Sequence, residues 1–274
     1  MKKTIIFILL LATLITVTPK ADASIIESAA RNLDSSLNQL ITAKDEATAE
    51  KTLSPEEDLA FRKKVVNDAL ILSFKEIEDI KGKLDSLNFE EKSDENKVRG
   101  QFFIDLGEFE TTYRDLQGRL DKETNVEKIK DIARYAKEYR EKAYGPIITE
   151  IVDFILAFQT DKLVAGAGIR FGKIETDIKK LERASFIEIG YFNRQMEEAK
   201  KLISNAKELV NKAKAMVMEN DIDQEEEKGE VKEEEEEIVP PTPRELCEAA
   251  LIDLRSGYGI FVDISNSVKK IIKI

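Results

Sequence analysis

Histidine and tryptophan are missing from these 274 residues altogether, cysteine occurs once, and proline only six times. Each absence excludes a chemistry. Without histidine there is no Ser-His or Cys-His nucleophile pair, no imidazole proton shuttle and no histidine ligand for catalytic zinc or a bundle di-iron centre. With Cys247 alone, thiolate zinc sites, iron-sulfur clusters, Cys-x-x-Cys-His haem attachment and any disulfide within the chain are ruled out. Neither a Gly-x-Gly-x-x-Gly run nor a phosphate-loop pattern is present. No cofactor or metal is expected.

The six prolines, Pro19, Pro55, Pro146, Pro240, Pro241 and Pro243, leave two long stretches free of helix breakers, 56–145 and 147–239. Nor does any run read as an alternating strand, so the expected fold is all-α: an elongated antiparallel bundle of long amphipathic helices. Its most apolar segment beyond the N-terminus is Ile147 to Phe158, read as a buried central helix. At about a dozen residues, with Glu150 and Asp153 inside it, this segment falls short of the roughly 20 apolar residues that span a bilayer.

The opening residues have the layout of a secretory signal peptide. Lys2 and Lys3 form a positive start, Thr4 to Val17 an apolar core, and Ala21 and Ala23 place small residues where signal peptidase reads. Cleavage is expected before Ser24, with 1–23 as the leader and export beyond the cytoplasmic membrane as the address. The Lys-Lys leader and a lysine- and isoleucine-rich composition point to a bacterial envelope.

The net charge of −11 is concentrated rather than spread. Between Glu219 and Glu237 twelve acids face two lysines, a net of −10, and the rest is close to neutral. Balanced charge of both signs reads as solvated helix faces, not as a nucleic-acid footprint. The acidic run, 219–241, is expected to be a disordered linker, because like charges repel and little in it can be buried. Asp221, Asp223 and Glu225 have the opening spacing of a calcium loop, but Glu226 stands where the turn demands glycine, so the run is read as solvated.

Helix starts are marked clearly. Ser54-Pro55-Glu56-Glu57 combines an N-cap, proline in the first turn and a capping-box glutamate; Thr242-Pro243-Arg244-Glu245 repeats it, and Thr124-Asn125-Val126-Glu127 is a further box. Apolar stripes follow. The N-terminal helix, 24–53, carries Ile26, Ala30, Leu33, Leu37 and Leu40. The bundle, 54–218, contributes Leu59, Val66, Leu70, Ile77, Ile80, Leu84 and Leu87, then Val98, Phe102, Leu106, Phe109, Tyr113, Leu116 and Leu120, then Ile129, Ile132, Tyr135, Tyr139 and Ala143. Gly100, Gly107 and Gly118 in the second set predict close neighbours or an irregular helix. Gly145-Pro146 predicts an end or a kink, and the segment beyond it is expected to run as one bent helix to Leu181. Phe192, Met196, Ala199, Leu202, Ala206, Leu209, Ala213 and Met216 form an alanine-rich stripe that implies close helix packing. The C-terminal helix, 242–274, has Leu246, Ala250, Leu254, Gly257, Phe261, Ile264, Val268 and Ile271 as its seam, with Cys247 beside it as a free thiol. Tethered by the acidic linker, it is expected to range widely and capture a partner or a groove.

Candidate chemistry is sparse. Glu150 and Asp153 are the one pair of acids on an apolar helix, the minimum for carboxylate hydrolysis, and are read as a solvent stripe with Thr149. Arg134, Tyr135, Tyr139, Arg140, Lys142 and Tyr144 interleave aromatic and basic groups as a glycan or polyanion surface would, although tyrosines four apart on an apolar face are read as core. These readings converge on a non-enzymatic, exported structural, adaptor or binding module that engages a protein partner or itself and no nucleic acid. The alternative is a membrane-active protein that inserts its central or last helix into lipid.

Overall fold

The computed structural model describes residues 54–184, 190–219 and 240–272. The leader with Ala21 and Ala23, the segment 24–53 and nearly all of the acidic run, with Asp221 and Asp223, lie outside the described residues. Every regular element among those described is helical: α1 Pro55–Asp85, α2 Asp94–Lys122, α3 Val126–Tyr139, a π turn Arg140–Tyr144, α4 Gly145–Arg183, α5 Gly190–Glu219 and α6 Pro243–Ile272. Helices of about 30 residues are roughly 45 Å long at 1.5 Å per residue. The chain divides into two compact units, Met1–Ile151 and Val152–Ile274.

In the first unit, α1 starts where the sequence places it. The Ser54 hydroxyl accepts from the Glu57 amide at 3.2 Å, and the Glu57 carboxylate accepts from the Ser54 amide at 2.9 Å. Its register on α2 is antiparallel: Lys63 donates to the Asp121 carbonyl, Gln117 to Asn67, and Lys81 meets Glu110 at 2.9 Å, so rising numbers on one helix meet falling numbers on the other. All seven stripe residues of α2 are buried, as are those of α1 except the half-buried Leu59. The short α2–α3 link is closed by Asn125, whose side chain accepts from the Glu127 and Lys128 amides. Asn125 is therefore the cap in place of Thr124, whose amide is held instead by Glu123.

The glycines of α2 correct the sequence reading. The helix runs unbroken past Gly100, Gly107 and Gly118, and a Cβ at any of the three would meet nothing within 4 Å. They mark open space, not close packing.

Gly145-Pro146 neither ends the helix nor starts a loop. Proline has no amide hydrogen and its ring collides with the carbonyl four residues back in a regular helix. The chain answers by widening the preceding turn to the π form, in which the Gly145 amide donates to the Arg140 carbonyl, five residues back, and Gly145 itself keeps ordinary helical angles (φ −59°, ψ −48°). The inserted residue also resets phase. Ile129, Ile132, Ala133 and Ala136 are buried before the π turn, and Ile148 and Ile151 after it.

The second unit is an antiparallel three-helix bundle. Ala206 and Val210 of α5 share a cluster with Leu254 and Ala250 of α6 and with Val164 and Ala167 of α4, while Phe192 and Met196 share one with Ile264 and Ile178. Numbers rise on α5 as they fall on α4 and α6, and the latter two run the same way, with Phe171 and Phe261 rings 6.3 Å apart. Ala199, Ala206 and Ala213 are fully buried, and the α5 and α6 backbones meet closely at Gly257, where a Cβ would sit 3.9 Å from the Leu202 and Ile203 side chains. This is the alanine-seam approach that the sequence implied. α6 is accordingly a wall of this bundle and not a free arm, because Leu246, Cys247, Ala250, Leu254, Phe261 and Ile264 are buried. Ile271, at the far end of the stripe, is exposed.

Candidate functional site

The most polar part of the first unit's interior is assembled from three helices and the π turn. Glu76 lies on α1 among Ser73, Ile77 and Ile80, all buried. Arg140 opens the π turn and reaches back to Glu76 with Nη1 to Oε2 at 2.8 Å and Nη2 to Oε1 at 3.4 Å, their side chains 11% and 4% exposed. The guanidinium also covers the Tyr144 ring, 5.1 Å from its centroid. Burial alone would favour neutral arginine, but the Glu76 carboxylate outweighs it and holds the guanidinium charged.

Around this pair stand Tyr113 of α2, Tyr139 of α3 and Tyr144. Tyr113 meets Tyr139 and Tyr144 edge to face at 5.8 and 5.7 Å, and Phe109 meets Tyr144 in the same way at 5.0 Å. Tyr139 donates to Thr112 at 3.2 Å. The hydroxyls of Tyr113 and Tyr144 are buried beside Ser73 and Glu76 respectively, yet neither completes a hydrogen bond of ordinary geometry. Burial pushes the Tyr113 phenol up to about 12, and drives that of Tyr144 well above the usual phenol range with Glu76 adding to the effect.

In the second unit Asp153 of α4 pairs with Arg244 of α6 at 3.2 Å. The Asp153 side chain is only 14% exposed. That corrects the expected solvent stripe: Thr149 is exposed, but Glu150 and Asp153 are half-buried. Burial raises the Asp153 carboxyl and Arg244 opposes it. Lys214 of α5 closes a second bridge to Asp161 of α4 at 2.9 Å, with its ammonium 5.0 Å from the centre of the Phe158 ring. Cys247, expected beside the seam, is fully enclosed; burial pushes its thiol up to about 11, with a contact to the Thr160 hydroxyl opposing.

The basic-aromatic group of α3 is split by the structure. Arg140 and Tyr144 turn inward and Tyr139 is half-buried, whereas Arg134 and Lys142 face solvent and Tyr135 is 48% exposed, stacked on Tyr139 at 6.2 Å and 12°. Tyr135 is thus not the core residue that its spacing suggested. Glu76 escaped the sequence reading; its signal was an acid falling on the buried stripe between Leu70 and Ile80, with Arg140 far away in sequence.

The cavity beside Arg140, lined by Val66, Ala69, Leu70, Ser73, Tyr113 and Ala136, has a volume of about 10 Å³, room for one water. Among the described residues no group of three or more acids or thiols stands close enough to hold a metal ion, and no helix is long and apolar enough to cross a membrane. No protein-family model, curated protein or solved structure matches this chain.

Proposed function

We propose that this chain is an exported, non-enzymatic helical-bundle protein that works as a structural, adaptor or binding module at a bacterial envelope. One observation carries the reading. The buried carboxylates Glu76 and Asp153 are each committed to an arginine, Arg140 and Arg244, and the cavity beside the first pair is water-sized. What remains for work is the surface of the two units, where single apolar side chains such as Ile104, Ile169 and Ile252 are exposed. The leader ending in Ala21-Asp22-Ala23 supports export, and the near-neutral charge outside the acidic run supports a protein partner or self-association over nucleic acid.

Expression of the full chain with a C-terminal tag in the source organism, followed by fractionation and N-terminal sequencing, tests the address. The expected product begins at Ser24 and lies outside the cytoplasmic membrane; an uncut chain in the cytoplasm refutes export. Cross-linking in that compartment tests the role, the expected outcome being one saturable protein partner or a defined homo-oligomer. Leakage of anionic vesicles by the mature chain would favour lipid insertion instead.

A further inference from the structure

We propose that the outer groove between α1 and α3 is the docking site of this chain's own segment 24–41, which lies outside the described residues and would complete the first unit as a fourth, antiparallel helix. α1 and α3 run the same way: Ala69 and Leu70 share a cavity with Ala136, and Glu76 meets Arg140 further along both. Beside the face that α1 turns to α3, Phe61, Val65 and Leu72 continue one helical stripe, Phe61 52% exposed and the other two half-buried. On α3, Lys130 and Lys137 flank the buried Ala133 on the side from which Arg140 reaches α1. Both lysines are half-buried and pair with acids one turn away, Glu127 and Glu141.

The chain carries a complement and delivers it to this place. The N-terminal segment ends at Ser54, where α1 begins, and its stripe of Ile26, Ala30, Leu33 and Leu37 is flanked by Glu27 and Asp34, seven residues apart like the two lysines. Laid antiparallel on α1, one register brings Leu37 level with Phe61, Leu33 with Val65 and Ile26 with Leu72. Laid on α3, one register brings Asp34 level with Lys130 and Glu27 with Lys137. The two registers agree: together they set Leu70 level with Ala136, and those residues do line one cavity. The hand agrees too, since a right-handed helix opposed to α1 and α3 in this groove turns its Glu27 and Asp34 flank towards α3. Residues 42–53 are left for the turn, ample at about 3.3 Å per residue when extended. The lysines' present pairs with exposed neighbours are weak and cost little to exchange.

Hydrogen exchange on the full mature chain, at two concentrations about tenfold apart, tests the docking. The expected result is exchange at 28–41 slowed by about tenfold or more against a free peptide, independent of concentration. Lys130→Glu with Lys137→Glu should remove that protection while α2 keeps its own, and adding Glu27→Lys with Asp34→Lys should restore it. Exchange at the free-peptide rate in the wild type overturns the proposal. So does protection seen only at the higher concentration, which would mean that a second copy fills the groove, or protection that the charge reversal leaves unchanged. If the reversed chain loses α2 protection as well, Phe61→Glu, a change at an exposed side chain, decides: loss confined to 28–41 supports the docking, and no loss overturns it.

Discussion

Arg140 stands 64 residues from Glu76 in sequence and 2.8 Å from it in space, a bidentate pair buried between α1 and the π turn. Pairs of this kind are costly to desolvate, and their net contribution to stability is small even though breaking one is severe. Glu76→Leu or Arg140→Met alone should destabilise the first unit by about 3–5 kcal/mol, since each leaves an unpaired buried charge. The double substitution should recover most of that loss. Urea unfolding of the four chains checks it, and additive losses would show that the two side chains act independently.

Glycine replacement should give opposite signs at three places. At Gly145 a Cβ would lie 2.9 Å from the Arg140 carbonyl, a backbone atom that cannot step aside without disturbing the π turn, so Gly145→Ala should destabilise. At Gly107 nothing lies within 4 Å, and at Gly257 the nearest atoms are at an ordinary 3.9 Å. Alanine at either should therefore stabilise by up to about 1 kcal/mol through helix propensity. Thermal melts of the three single variants measure all three signs.

Asp153 and Arg244 are unequal partners. The Asp153 carboxyl is mostly buried and its folded pKa is raised above the ordinary carboxylate value, so the folded state holds its proton more tightly than the unfolded chain does. Its contribution therefore favours folding below the unfolded pKa and is lost as pH rises through the folded one. Arg244→Ala removes the group that opposes this shift and should destabilise most at neutral pH, with the deficit shrinking on acidification. Asp153→Asn should be the milder change, because it leaves only a half-exposed arginine without its partner. Denaturant midpoints for both variants at pH 4 and pH 7 provide the check.

Alkaline pH should unfold the protein through buried acids that ionise freely once exposed. Tyr113 at about 12 and Cys247 at about 11 are raised above their ordinary values, as is Tyr144. The unfolded chain loses these protons first, so stability is fully present below about pH 9 and falls as pH rises through 9 to 12. Tyr113→Phe should lessen the slope of stability against pH above 10. By the same reasoning Cys247 should resist alkylation: its pKa alone leaves roughly a hundredfold less thiolate than an ordinary thiol, and full burial slows access further. Rapid labelling of the native protein at pH 8, at the rate seen in urea, would contradict that burial.

The all-helical class, the α1 start at Ser54 and the seven-residue stripe of α2 were legible because each is local. A capping box closes within four residues, and an apolar face repeats every three or four, so neighbours in sequence carry the whole signal. Even the close α5–α6 seam was legible, since Ala199, Ala206 and Ala213 recur at one heptad. What the neighbouring helices alone decided is which way a side chain on a boundary turns. Tyr135 and Tyr139 have the same spacing rule and differ in burial; Cys247 lies one residue from Leu246 and is equally enclosed; Gly107 meets nothing while Gly257 meets α5. The π turn belongs with these: Gly145-Pro146 announces a disturbance, but whether the chain breaks, bends or widens depends on the faces before and after it finding their cores. The Glu76–Arg140 pair was beyond any local reading, because a buried charge is tolerable only where a second element delivers its counter-charge, and only folding places the two within reach.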